Sequence, residues 1–172
     1  DLFGGDIQAA LLPAIGIELF HNFTLLHDDI MDQAPLRRGK STVHQKWDTN
    51  IAILSGDTLF ALAYQYLLEC EREVLPEVME VFTRTAIEVC EGQQWDMNFE
   101  NRSDVSIDQY LEMIRLKTAV LFACSLKIGA LTGGADDAGA RSLYDCGMNL
   151  GIAFQLQDDL LDLGLGRPAI VQ

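Results

Sequence analysis

The chain has 172 residues, 49% of them apolar, and a formal net charge of −14. That length and composition suit one domain, 1–172, with a real hydrophobic core, and they exclude an intrinsically disordered chain. The charge argues against a nucleic-acid backbone or an anionic membrane surface as the main partner.

Cys70, Cys90, Cys124 and Cys146 are widely spaced and form no C-x-x-C pair. They read as free thiols packed as small apolar groups in a reducing compartment, which places the protein in the cytoplasm. The longest uncharged run, residues 146–157, is too short to span a bilayer, and no signal peptide is expected at the opening. The chain begins DLFGGDIQ without an initiating Met, as a fragment would.

Taken in chain order, the elements read as helices. Apolar residues at three and four spacing (Ile17, Phe20, Phe23, Leu26, Ile30) predict a long helix over 14–32. Residues 33–42, with Pro35 and Gly39, read as a loop. A second helix is expected over about 50–72 and a third over about 76–100, with Pro76 in its first turn. NRSDVS is a polar break, after which Ser106 and Gln109 form a capping box. The helix it opens runs through Ile114, Leu121 and Leu126 to Gly133 and Gly134, and a last helix spans 137–162. No alternating strand pattern or hairpin signal competes. The expected fold is an all-α antiparallel helical bundle, its helices long enough to wall a deep central cavity.

Two acidic motifs stand out on these helices. Asp28, Asp29 and Asp32 lie in LLHDDIMD, and Asp158, Asp159 and Asp162 repeat the spacing in FQLQDDLLD. Positions i, i+3 and i+4 share a helix face, so each trio crowds like charges together unless a cation intervenes. Hard oxygen ligands suit Mg²⁺, which prefers a few carboxylates plus water and phosphate oxygens to an all-protein cage. Two such platforms facing across a bundle would clamp several ions, about three, around one diphosphate. A lone Asp-Asp-x-x-Asp is often just a solvated helix face. Here each trio sits among apolar residues (Leu25, Leu26, Ile30; Phe154, Leu156, Leu160, Leu161), and the pair is matched.

Arg37 and Arg38 follow the first motif in a loop, where planar guanidinium groups can reach the free oxygens of the same diphosphate. The plainer reading is a salt bridge to the aspartates. Lys117 and Thr118 interrupt an otherwise apolar helix. A lysine opposite an acidic metal site fits a phosphate partner better than a snorkelling surface role.

The set LLHDDIMD, the RRG that follows, GD at 56–57, GQQWD at 92–96, KT at 117–118 and FQLQDDLLD resembles the polyprenyl synthetase family of trans-isoprenyl diphosphate synthases. The motifs come in that family's order over nearly the whole chain. The resemblance implies an all-helical homodimer that joins isopentenyl diphosphate to an allylic diphosphate with Mg²⁺. Asp28, Asp32 and Asp158 would be the chief metal ligands, with Asp29, Asp159 and Asp162 as ligands or their supports. Arg37 and Lys117 would hold the allylic diphosphate, supported by Thr118 and Gln155. Arg38 and His21 would hold isopentenyl diphosphate.

On that resemblance the allylic C–O bond ionises in a dry apolar pocket, the isopentenyl double bond attacks, and the departing diphosphate takes the proton. Phe23 lies five residues before Asp28, roughly 7.5 Å down the helix. Its ring, beside the small Thr24, would form a floor that stops elongation. The implied product is short, farnesyl or geranylgeranyl diphosphate. The chain departs from the family in two places. No Gly-Lys-x-x-Arg segment precedes Asp28, and beyond Asp162 only Gly166 and Arg167 suggest the usual glycine and lysine. It therefore reads as the catalytic middle of a longer enzyme. The rival readings are a class I terpene cyclase, which pairs the first motif with an Asn/Ser/Glu triad, and a non-catalytic partner subunit or diphosphate-binding module.

Overall fold

A computed structural model describes residues 2–164, without the side chain of Asp162; Gly166 and Arg167 lie outside the described residues. The fold is the expected all-α bundle. In chain order it comprises α1 (Ile7–Met31), β1 (Leu36–Arg37), β2 (Lys40–Ser41), α2 (Val43–Lys46), α3 (Thr49–Leu67), α4 (Leu75–Phe99) and α5 (Ile107–Ile114). A π-helical turn (Arg115–Ala119), α6 (Val120–Thr132) and α7 (Asp137–Asp162) complete it.

Local chemistry sets the helix ends. α1 starts seven residues before the expected position, because Asp6 caps it by accepting from the Gln8 backbone N–H and Pro13 is carried inside the helix. At 25 residues α1 is long and apolar enough to cross a bilayer by length and composition, which a search for uncharged runs missed. In this fold its buried residues Pro13, Gly16, Phe20 and Asp29 face the bundle. α3 stops at Leu67, five residues early. There Glu69 and Cys70 donate to the carbonyls of Tyr66 and Leu67, tightening the chain into a turn. Pro76 sits in the first turn of α4, and the Ser106–Gln109 capping box opens α5 as predicted.

Two elements differ from the sequence reading. The expected loop contains an antiparallel ribbon pairing Leu36 with Ser41 and Arg37 with Lys40. Its turn residues Arg38 and Gly39 both have positive φ, +52° and +75°, as a primed two-residue hairpin requires. An arginine in that position carries no hairpin signal, so the ribbon was not legible. The helix expected from Ser106 to Gly133 is also not continuous: the π turn divides it at Lys117 and Thr118. A π insertion adds a residue to one turn and so re-aims the side chains on it. Leu116 and Ala119 point into the core, while Lys117 and Thr118 line the central cavity.

The core joins Phe20 of α1, Leu67 of α3, Phe82 of α4, and Val120, Cys124 and Ile128 around α6. Phe20 lies edge-on to Phe82 at 5.2 Å and tilted against Phe23 and Phe60, both at 5.6 Å. Of the four thiols, only Cys70 and Cys124 are buried; Cys90 and Cys146 are exposed. Burial pushes the Cys124 thiol up to about 12, so it behaves as a small apolar group. The apolar neighbours of the second motif are less buried than the sequence suggested, with Phe154 50%, Leu160 48% and Leu161 40% exposed.

Close approach between α4, the π turn and α7 depends on missing side chains. A Cβ on Gly92 would overlap the backbone of Leu116 and Lys117, and one on Gly151 would fall on Ala119. Gly92→Ala should gain about 1 kcal/mol in helix propensity but incur about 1–3 kcal/mol of overpacking. Urea unfolding of the protein is expected to show net destabilisation of up to about 2 kcal/mol. A stabilised variant would mean the π turn does not lie against α4.

Candidate active site

The C-terminal part of α1, the ribbon, α4, the π turn and α7 surround a cavity of about 1110 Å³. Eleven of the residues singled out in the sequence line it: His21, Phe23, Thr24, Asp28, Arg37, Arg38, Lys117, Thr118, Gln155, Asp158 and Asp159. Asp29 and Asp32 are not among the lining residues, and the side chain of Asp162 lies outside the described residues. The first two aspartates of the second motif thus share a cavity with Asp28.

Asp28 is the electrostatic centre. Its Oδ1 accepts from Lys117 Nζ at 3.2 Å and its Oδ2 from Arg37 Nη2 at 3.2 Å. Lys117 Nζ also donates to Asp96 Oδ2 at 2.5 Å. Burial would lower the Lys117 pKa, but the Asp96 hydrogen bond and the charges of Asp28 and Asp96 outweigh it and raise the value, so the ammonium stays charged. Arg37 Nε donates to Asp29 Oδ1 at 2.7 Å. Asp29 is only 6% exposed, so a buried carboxylate on α1 anchors the ribbon arginine. The crowding of the first motif is relieved by the chain's own cations, the plainer of the two roles considered for Arg37.

Asp32 caps the C-terminus of α1 and is exposed. Burial first, then the charge of Asp28, raises its pKa, with Lys117 opposing. His21 shifts the other way: burial lowers its pKa, and the nearby Arg38 and Arg37 lower it further against Glu18. Its imidazole therefore favours the neutral form beside Arg38, acting as a hydrogen-bonding group more than a charge.

On the opposite wall Thr118 Oγ1 donates to Gln155 Oε1 at 2.8 Å, and Gln155 Nε2 donates to Asp159 Oδ1 at 2.8 Å. Tyr110 of α5 donates its hydroxyl to Asp159 Oδ2. The cavity is apolar toward Phe23, which stacks on Phe60 with centroids 4.9 Å apart and planes 12° apart. Beside it, Thr24 turns its hydroxyl back to the His21 carbonyl at 2.8 Å and leaves a methyl for the cavity.

Three contributions escaped sequence reasoning. Asp96, quoted within GQQWD, carries Lys117, yet nothing in its spacing on α4 reveals a partner 21 positions on. Tyr110 lies seven residues before Lys117 in an ordinary amphipathic pattern. GD at 56–57 acts by space: a Cβ on Gly56 would collide with His27, whose Nε2 lies 3.3 Å from the Ile53 carbonyl and 3.7 Å from Asp57 Oδ1. That contact fixes α1 on α3 next to Asp28.

The donor set suits a hard cation with a polyanion. Carboxylates of both motifs, two arginines and a lysine converge on one cavity, and Gln93, which also lines it, has a buried Nε2 with no protein partner. Among the described residues no three Asp, Glu, His or Cys side chains are arranged as a ready metal cage.

A family model described as polyprenyl synthetase matches residues 3–168. A geranylgeranyl diphosphate synthase from Methanosarcina mazei is 48% identical over 162 residues, covering 93% of this chain and 50% of the relative. A geranylfarnesyl diphosphate synthase from Natronomonas pharaonis is 48% identical over 163 residues, covering 92% of this chain and 47% of the relative. A crystal structure of geranylgeranyl pyrophosphate synthase superimposes with a TM-score of 0.92 at 52% identity, covering 98% of this chain and 51% of that one. The chain thus spans about half the length of the relatives it matches.

Neighbouring aspartates of the first motif should behave oppositely on mutation. Asp29→Ala strands a buried arginine contact and is expected to destabilise by about 1.5–3 kcal/mol in urea unfolding. Asp32 has a raised folded-state pKa, so its ionisation works against folding; at neutral pH Asp32→Asn should leave stability unchanged or raise it. Equal losses from both would contradict this division.

Proposed function

We infer the chemistry of this chain from its kinship: it belongs to the polyprenyl synthetase family. The reaction we propose is condensation of isopentenyl diphosphate with an allylic diphosphate to a short-chain trans-polyprenyl diphosphate. The observation that carries this reading is one cavity with Asp28, Arg37 and Lys117 on one wall, Asp158 and Asp159 on the other, and an aromatic floor.

Mg²⁺ is the proposed cofactor, held by Asp28 and Asp32 from one side and Asp158, Asp159 and Asp162 from the other, with Asp29 in support. When bound it would supply Lewis-acid neutralisation of the diphosphate's charge. The chain's own cations do the rest. Arg37 and Lys117 hold the allylic diphosphate, and the Thr118–Gln155 hydrogen bond orients that wall. Arg38 and the neutral His21 take the diphosphate of the second substrate.

As the allylic C1–O bond breaks, the electron pair leaves on the diphosphate, where Lys117 and Arg37 stabilise the developing charge. The isopentenyl C4 forms the new bond to C1, and the C2 proton of the isopentenyl unit passes to a diphosphate oxygen, restoring a double bond. No side chain in the cavity offers a strong base in its place. Phe23, Thr24 and Leu121 keep that end dry, which protects the carbocation from water.

Phe23 sets the floor in this reading. It is braced by Phe60 and Phe20, so it does not swing aside easily as a product grows. A C15 or C20 product follows. Relatives of equal identity bear the names geranylgeranyl and geranylfarnesyl synthase, so small changes at such a floor are the natural source of the difference. The protein acts as a homodimer in the cytoplasm on this proposal.

Incubating the full-length protein with isopentenyl diphosphate and an allylic primer, with Mg²⁺ or with chelator, tests the reaction by mass spectrometry. A Mg²⁺-dependent product ladder ending at C15 or C20 is expected. Failure to consume isopentenyl diphosphate would favour the cyclase or non-catalytic readings, since only the synthase requires that substrate. In the same assay Phe23→Ala should shift the ladder to longer products, and an unchanged distribution would remove Phe23 as the floor.

A further inference from the structure

Tyr110 does not itself line the cavity, but it touches Asp159, which does. It comes from α5, 49 positions before the aspartate it touches. It is half-buried, and its hydroxyl donates to Asp159 Oδ2. Asp159 accepts from Tyr110 at Oδ2 and from Gln155 at Oδ1. Gln155 in turn accepts from Thr118 on the π turn, next to Lys117. A carboxylate anchored at both oxygens cannot rotate without breaking a charge-assisted bond. Each oxygen still keeps a second lone-pair site for a ligand.

We infer that Tyr110 is a positioning residue of the second aspartate motif: by clamping Asp159 it ties the wall of α7 to α5, beside the Thr118–Gln155 bond that ties it to the π turn, so that the cavity receives a cation-bound diphosphate with Asp158 already in place. Gln155 and Asp159 are one helical turn apart on α7, and that pair alone would move with the helix. The Tyr110 hydroxyl ties the pair to a different element. This inference rests on the proposed reaction only for its kinetic readout.

The test compares Tyr110→Phe with the unsubstituted full-length protein. Calorimetry with inorganic pyrophosphate and Mg²⁺ should show about tenfold weaker binding, the order of one hydrogen bond to a charged group. The Mg²⁺ concentration for half-maximal isopentenyl diphosphate consumption should rise by a similar factor, while the thermal midpoint stays close to that of the parent. In an Asp159→Ala background, Tyr110→Phe should cause no further loss, because its effect passes through Asp159. Unchanged pyrophosphate affinity, or losses that simply add in the double variant, would overturn the inference. So would a Tyr110→Phe protein that unfolds, since that assigns the phenol to stability instead. If the unsubstituted protein consumes no isopentenyl diphosphate, the proposed reaction falls, yet the pyrophosphate calorimetry still decides the role of Tyr110.

Discussion

The sharing of Asp28 between Lys117 and Arg37 is the interaction on which the site depends. A carboxylate among carboxylates, in a chain of net charge −14, is unfavourable in a partly desolvated cavity unless cations reach it. Two do, one on each oxygen, from elements far apart in sequence. Each cation is itself held by a second carboxylate, Lys117 by Asp96 and Arg37 by Asp29. Three carboxylates against two cations leave the network one negative charge in excess. On the proposed reaction, a diphosphate with its cations would exchange into it, the carboxylates holding the metal and Lys117 and Arg37 the phosphate oxygens. Ligand entry swaps partners without stripping charges bare, which keeps the desolvation penalty small.

That arrangement requires helices closer than side chains usually allow. Gly92 brings α4 against the π turn, Gly151 brings α7 against Ala119, and Gly56 makes room for His27 between α1 and α3. Each contact lies within a few residues of a cavity group: Asp96, Lys117, Gln155 or Asp28. The π turn completes the geometry. The inserted residue rotates α5, which carries Tyr110, relative to α6, which carries Val120, Cys124 and Ile128 into the core.

Much of this was legible in the sequence for physical reasons. The helices announced themselves through apolar spacing, and the Ser106–Gln109 box and Pro76 fixed two starts correctly. The polar residues of the cavity were legible because they break the expected pattern: acids crowded together, arginines after them, a lysine in an apolar helix. The failures were equally specific. Asp6 and Pro13 hid the true start of α1, since proline within a helix reads as its boundary. The ribbon went unseen because its positive-φ turn uses an arginine ahead of the glycine. Asp96 and Tyr110 stayed silent because their importance lies entirely in long-range partners, which no local spacing encodes.

The two motifs also divide their labour in the same way, which their identical spacing alone does not explain. In the first, Asp29 turns inward to Arg37 while Asp28 lines the cavity. In the second, Asp158 and Asp159 both line the cavity, and Asp159 is in addition clamped by Tyr110 and Gln155. Adjacent residues on a helix are about 100° apart, so a tandem pair can face a cavity with one member and anchor on a neighbouring element with the other. A single aspartate would give charge without orientation. The second one, satisfied by the protein, holds the helix in rotation and register so that the first meets its ligand already aimed.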